Sequence, residues 1–344
     1  MKPKKLLSLG AFFLYTLLNS ACFSQSRFPY DQLTGPRLLW ADSLPCSPED
    51  TIVIMVTVRE KAEDSSKLFS DETILSKHFT TLLALWKSPC WYLKEVPSLE
   101  EALQLSGYSK EIVTYVHGDG KDFPLALNRA ADIRLLFDVP VIAFDVPSLL
   151  PQSGRIKNFY NSKRNFKKSA PHFSEYIQTL SNIKEKQAGL TLTLHMHSLG
   201  NTVYMECLKE NRLDSYPVLF ETLLMNAAAV KQKRHKRWLE KSTIQKCIYI
   251  TYNKKDHTLN GAHLITLRKQ LGERVKKPLA GNSYYINVHP LAGKEHNYYS
   301  NVRLFSRFPN LQQFYMDILH GRDVPLEDEH RFTRRKDGKG FDIR

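Results

Sequence analysis

The segment from Leu192 to Leu208 holds the residues best suited to chemistry. An apolar run leads directly into Ser198, Gly200 follows two places later, and a helical pattern then begins. A serine on a tight strand-to-helix turn has its hydroxyl pushed out above the sheet edge. The helix start behind it offers free backbone N–H groups and a partial positive charge. Those are the needs of an acyl-transfer nucleophile and its oxyanion hole, with the N–H of Leu199 as one donor. The G-x-S-x-G form of such a turn has a small residue at its first place, where this chain carries Met196. Upstream, the apolar run Ile112–Val116 ends in His117, Gly118, Asp119 and Gly120. A glycine-containing turn there lets the N–H of Gly118 or Asp119 approach a reacting carbonyl as the second donor.

These turns need a sheet to hold them. Thr51–Val58, Ile112–Val116, Pro140–Phe144, Leu190–Leu194, Thr222–Met225, Cys247–Tyr252 and Tyr284–Val288 read as strands. Between them lie helical patterns. Phe123, Ala126, Leu127, Ala130, Ile133 and Leu136 share one face, and a second pattern runs from Phe166 to Lys186, with Pro171 marking a kink or a helix start. Alternating strands and helices with continuously apolar strands imply an α/β fold: a mostly parallel sheet covered on both faces.

His117-Gly118, Phe123, the run from Ala126 to Ala131, and His197-Ser198-Leu199-Gly200-Asn201 together resemble the α/β-hydrolase superfamily. In particular they resemble its uncharacterised bacterial branch with an HG…AHSMGN-type pattern, a former domain of unknown function. The resemblance implies a single α/β-hydrolase-like domain, no cofactor, and a triad in the order serine, acid, histidine. The stretch after Met225, from Asn226 to Leu239, contains no Asp or Glu. Asp256, just past the strand ending at Tyr252, is the expected acid. His296 is the expected histidine, since its loop has the reach to sit between acid and serine. His289 is the alternative and reads as strand-bound. In the mechanism so implied, His296 takes the Ser198 proton, Asp256 orients the ring, and an ester or related acyl bond is cleaved through an acyl-enzyme. A small-molecule or lipid-like acyl substrate follows. The alternative, motivated by Met196, is an envelope protein that keeps the fold for binding or scaffolding.

Other groups read more plainly. His195 and His197, two apart on a strand, could share a metal, but no further ligand follows at suitable spacing, and no metal is expected. His257 and His263 read as loop or helix-face residues. Asp145 reads as a turn carboxylate, with pocket lining as the alternative. The basic run Lys231–Arg237 reads as a solvated face, or as a contact for anionic headgroups. No interleaved aromatic and basic motif points to nucleic acid.

The first residues read as an address. A basic start, an apolar stretch from Leu6 to Leu18 and small residues up to Cys22 form a secretory signal over 1–21. Cys22 after Ala21 resembles the acylated cysteine of a bacterial lipoprotein, although Asn19 departs from that pattern. Export to the cell envelope with a lipid anchor is the expectation; a soluble secreted form is the alternative. An N-terminal extension (22–44), the hydrolase-like domain (45–322) and a tail (323–344), read as mobile from its dense charge and from Gly338 and Gly340, complete the chain. Of its 344 residues, 42% are hydrophobic, enough for a sizeable core and too many for a disordered chain. Five cysteines cannot make a covalent framework. With Cys22 acylated, Cys46, Cys90, Cys207 and Cys247 remain, and an oxidising envelope would permit pairing. The net charge of +14 favours anionic surroundings.

Overall fold

The computed structural model describes residues 37–47, 50–63, 68–72 and 75–344. The signal segment and Cys22 lie outside the described residues. Among these residues the strands are β1 (Arg37–Trp40), β2 (Thr51–Arg59), β3 (Leu75–Lys87), β4 (Cys90–Val96), β5 (Glu111–Val116) and β6 (Val141–Asp145), then β7 (Thr191–His197), β8 (Phe220–Asn226), β9 (Gln245–Tyr252), β10 (Ser283–Asn287), β11 (Phe332–Arg334) and β12 (Phe341–Ile343). They form one sheet in the order β1-β4-β3-β2-β6-β5-β7-β8-β9-β10-β12-β11. The central run from β2 through β6, β5, β7, β8, β9 and β10 is parallel throughout. Antiparallel pairing occurs at β2–β3, β3–β4 and β11–β12.

Helices fill the crossovers: α1 (Leu99–Ser106), α2 (Phe123–Phe137), α3 (Arg155–Lys168), α4 (Ala170–Lys186) and α5 (Asn201–Lys209), then α6 (His235–Leu239), α7 (His257–Thr266), α8 (His289–Ala292), α9 (Val302–Arg307) and α10 (Pro309–Leu319). Eight successive residues of β2 and six of β7 are buried, which requires cover on both faces of those strands. The architecture is a mostly parallel α/β sheet in a single domain.

Strand order decides where a ligand can go. From β5 the chain moves to β6 on one side; from β6 it returns past β5 to β7 and continues the other way. Neighbouring strands whose connections leave in opposite directions open a crevice at their carboxyl ends. Here those strands are β5 and β7, which carry His117-Gly118 and Ser198.

Two elements differ from the sequence reading, and at Pro171 the structure takes one of the two alternatives, the helix start. The hairpin β3–β4 was not anticipated. It extends the sheet beyond β2, and β1, at the end of the 22–44 extension, pairs with it. Pro171 begins a new helix, α4, directly after α3, which matches its fixed φ and missing N–H. The tail past residue 322 is part of the fold: β12 pairs with β10, and Phe332, Phe341 and Ile343 are buried. Gly340, at φ +92°, lies so close to β10 that a Cβ would run into the Tyr285 carbonyl oxygen. The two glycines that suggested mobility are therefore turn residues holding the tail in place.

Candidate active site

Ser198 follows the last residue of β7 at φ +52°, a left-handed conformation that strains a non-glycine residue. A short 3₁₀ turn, Ser198–Gly200, then leads into α5. Three contacts hold this turn. Asn201 donates through Nδ2 to the carbonyls of Met196 (3.2 Å) and Ser198 (3.0 Å). The Ala229 N–H donates to the Ser198 carbonyl at 3.0 Å. At Gly200 a Cβ would collide with the carbonyl oxygen of His117, so only glycine fits. Met196 is fully buried in β7, in register with Val116 and Met225. The tight approach in this turn falls on Gly200, and Met196 is accommodated as a core residue.

The turn after β5 presses against the serine. A Cβ on Gly118 would lie 2.8 Å from Ser198 Cβ and 3.3 Å from its Oγ. The Gly118 carbonyl accepts from His117 Nδ1 at 2.8 Å and from Ser148 Oγ at 3.2 Å. Carbonyl and N–H of one trans peptide point in opposite directions, so the Asp119 N–H faces away from those two donors. Leu199, in the first helical turn, has an N–H without an intrahelical acceptor. The Asp119 side chain accepts from Asn158 Nδ2 at 2.9 Å. Burial pushes its carboxyl above the usual range, opposed by the Ser162 hydroxyl and Lys121.

Behind this turn lies a buried ionic cluster that the sequence reading missed. His117 Nε2 is 3.0 Å from Asp145 Oδ1. Asp145 also accepts from Arg59 Nε at 2.7 Å and from Thr57 Oγ1 at 2.7 Å. Arg59 reaches on to Asp71 at 3.0 Å and to the carbonyls of Lys121 and Val146. Burial alone would raise the Asp145 carboxyl, but Arg59 and His117 hold it well below the carboxylate range. Asp145 is therefore neither a turn former nor part of the cavity lining; it is the centre of an ion-paired anchor.

On the other side, Asp256 follows β9 and caps α7: its Oδ1 accepts from the Leu259 N–H at 3.0 Å. Its Oδ2 lies 2.7 Å from His296 Nδ1, so that nitrogen carries the proton and donates. Asn253 ties the two loops together, donating through Nδ2 to the carbonyls of Gly293 (3.0 Å) and Glu295 (3.1 Å). His296 and Ser198 line the same cavity of about 820 Å³, together with Gly118, Asp119, Leu199 and His197. Its wall includes Leu149, Leu150, Phe159, Leu259 and Ile265, which makes much of the lining apolar. His289 begins α8 rather than ending a strand, and it does not line this cavity. His257, read as a loop or helix-face residue, is on α7 and does line it. His263 faces Glu273 at 3.2 Å.

His195 and His197 lie behind the serine. Burial pushes His195 down to about 3, and neither ring nitrogen has a hydrogen-bond partner among the described residues. Burial and the nearby His296 and His195 rings hold His197 well below its ordinary value. Asn226 Nδ2 donates to His197 Nδ1 at 3.1 Å, so His197 is neutral and carries its proton on Nε2. Asn226 is oriented in turn by the hydroxyls of Thr251 (3.0 Å) and Tyr315 (2.7 Å). Among the described residues no group of three or more His, Cys, Asp or Glu is placed to hold a metal ion. Cys46, Cys90, Cys207 and Cys247 are free thiols.

Comparison with known proteins adds to this geometry. No curated protein matches the chain. Among solved structures, that of TT1662 from Thermus thermophilus is similar at 14% identity and a TM-score of 0.33, covering 69% of this chain and 94% of that one. Residues 97–277, just over half of the chain, match the model of a family described as alpha/beta hydrolases of unknown function (DUF900), and the chain belongs to that family.

Proposed function

We propose that the chain is a serine hydrolase that cleaves an ester or related acyl bond. The observation that carries this reading is the His296–Asp256 contact of 2.7 Å beside a cavity that Ser198 also lines. His296 Nε2 takes the Ser198 hydroxyl proton as Oγ attacks the acyl carbon. The carbonyl electron pair moves onto its oxygen, which the N–H groups of Leu199 and of Asp119 or Gly118 receive. Collapse of that intermediate breaks the bond to the leaving alcohol, which departs with the proton from His296. Water then repeats the sequence on the acyl-enzyme and frees the acid. Asp256 keeps the His296 proton on Nδ1 and stabilises the ring when it is charged. The apolar cavity wall favours a lipid-like acyl group.

We further propose export to the cell envelope with a lipid anchor at Cys22, supported by the basic start, the apolar stretch and the small residues before that cysteine. In the Lys231–Arg237 run Gln232 and His235 are buried, while Lys233, Arg234 and Arg237 are exposed and available to anionic headgroups.

Intact-mass labelling with a fluorophosphonate tests the chemistry. A single adduct on the parent, absent in Ser198→Ala and in His296→Gln, is the expected result. A folded parent that takes up no adduct and cleaves no short-chain ester would favour a binding protein on the hydrolase fold. Mass analysis of the mature N-terminus tests the anchor: an acylated Cys22 is expected, and a free N-terminus near Gln25 would remove it.

A further inference from the structure

The cavity mouth carries an apolar surface that no other part of the described chain covers. Ile156 and Tyr160, four apart on α3, are each 50% exposed. Across the mouth, Leu264 on α7 is 55% exposed and Leu267 just beyond it 85%. The Tyr160 hydroxyl donates to the Ile265 carbonyl at 3.1 Å, so the two helices join at this rim. Arg155, Phe159, Leu264 and Ile265 line the cavity itself. Four of the eleven large exposed apolar side chains among the described residues thus stand on, or just past the end of, two adjoining helices that both line one cavity, Leu264 being itself a lining residue. Scattered singly they would need no explanation; gathered around an opening they mark an interaction face. Leu267 adds a second sign. It ends α7 in the left-handed conformation, φ +51°, a place where glycine is the usual choice. A leucine held there, nearly fully exposed, makes no contribution to the chain's own core.

The exposed charges beside these apolar side chains are positive. Six of the fourteen residues of α3 are Lys or Arg and none is acidic. Arg155 and Lys157 flank Ile156, and Arg268 and Lys269 follow Leu267; all four are exposed. None of the four forms an ion pair with an acidic side chain among the described residues. The Lys163 ammonium is held below its ordinary value by burial and by the nearby Lys167 and Arg268, which places the cations of α3 and of the α7 end in one field. Apolar side chains at the centre with cations around them match a bilayer surface, where alkyl groups enter the headgroup boundary and cations meet anionic phosphates. A purely ionic partner would leave the four apolar side chains without a role.

We propose that this rim docks on an anionic phospholipid bilayer and admits the acyl chain of a membrane-borne lipid ester toward Ser198. The substrate half of the statement rests on the hydrolase reading; the docking half does not. The Lys231–Arg237 run adjoins this rim, since the Gln232 N–H donates to the Lys269 carbonyl at 2.9 Å; the proposal differs from a headgroup contact of that run in placing the bilayer at the cavity mouth.

Co-sedimentation of the full chain with sucrose-loaded vesicles tests the docking without turnover. Vesicles of phosphatidylcholine and phosphatidylglycerol at a 7:3 ratio are compared with phosphatidylcholine alone, for the parent and the double variants Ile156→Glu/Leu267→Glu and Lys157→Glu/Arg268→Glu. All three proteins carry Cys22→Ser, so that no acyl anchor holds them to the vesicles and the rim is the contact that differs. A cation near an anionic surface is worth on the order of fivefold in partition, so each variant is expected to bind the 7:3 vesicles at least tenfold less. Variants that melt like the parent and bind like it would overturn the proposal. Loss in the charge variant alone would overturn the bilayer in favour of a soluble polyanion. Where a glutamate variant fails to fold, Ile156→Ser/Leu267→Ser and Lys157→Gln/Arg268→Gln give the same reading. A chain that docks but takes no fluorophosphonate would fail as a hydrolase and stand as a membrane-binding protein.

Discussion

His117–Asp145 and His296–Asp256 are both buried histidine–carboxylate pairs at the carboxyl edge of the sheet, with contacts of 3.0 and 2.7 Å. Their surroundings differ. At His117 both ring nitrogens are committed, Nδ1 to the Gly118 carbonyl and Nε2 to either the Asp145 carboxylate or the Val146 N–H, each at 3.0 Å, and Arg59 fixes the carboxylate from behind. At His296 one nitrogen is committed to Asp256, the other has no hydrogen-bond partner among the described residues, and the ring lines the cavity. The first pair holds a loop still; the second, in the hydrolase proposed above, moves a proton. A buried His–Asp contact therefore says little about catalysis until the second nitrogen and the charge behind the carboxylate have been accounted for.

The contrast can be broken at four points. Asp256→Asn removes the charge that orients His296 while keeping a good helix cap for α7. It is expected to lower kcat about 10⁴-fold with an unchanged melting temperature, the scale seen when a triad acid is amidated. A parallel loss of stability and activity would make Asp256 structural instead. Arg59→Met leaves Asp145 as a buried charge without its main partner. A loss of about 3–5 kcal/mol in denaturant unfolding is expected, present at neutral pH. The depressed Asp145 pKa gives stability above the ordinary carboxylate range that is lost as the parent is acidified through it, so the variant should gain nothing on raising the pH.

His117→Gln keeps a donor near Gly118 but uncouples it from the ion pair. A 10- to 100-fold fall in kcat, with KM for a short-chain ester little changed, is the signature of a misplaced oxyanion donor; a change confined to KM would argue against that role. The smallest effect concerns His195. In the unfolded chain an imidazole binds its proton near pH 6.5, whereas in the folded chain His195 does so only at about 3. Between those values the unfolded chain holds more protons, so stability falls as the pH is lowered. Each such imidazole contributes a slope of about 1.4 kcal/mol per pH unit, and His197 acts in the same direction. His195→Leu should remove its own share of that slope between pH 6 and 4.5, at little cost at pH 7, because it strands no hydrogen-bond partner. Unfolding free energies at four pH values would show it.

What the sequence made legible follows from how local each signal is. Ser198, Asp256 and His296 each sit just after or near the end of an apolar strand, so strand order alone points to their shared edge. Arg59 gave no such sign. It stands 86 residues from Asp145, and an arginine ending a strand reads as an exposed residue; only the pairing of β2 with β6 brings the two together. Asn226 was equally silent, since an uncharged residue at a strand end carries no mark of the histidine it holds. The tail glycines misled for a related reason: a glycine that permits a close approach and one that permits motion look alike in a sequence.

The tail carries a consequence beyond its own packing. Without β12, strand β10 would have a neighbour only at β9, and its outer row of amides and carbonyls would lie open. An open strand edge is a template for another chain, so a truncation at residue 322 should turn a discrete protein into one that self-associates. The loop bearing His296 hangs from the end of that strand, and the Asn287–Asp342 bond of 2.6 Å fastens that end to β12. The residues past 322 thus act as a clasp, and losing them would cost solubility as well as the alignment of the imidazole.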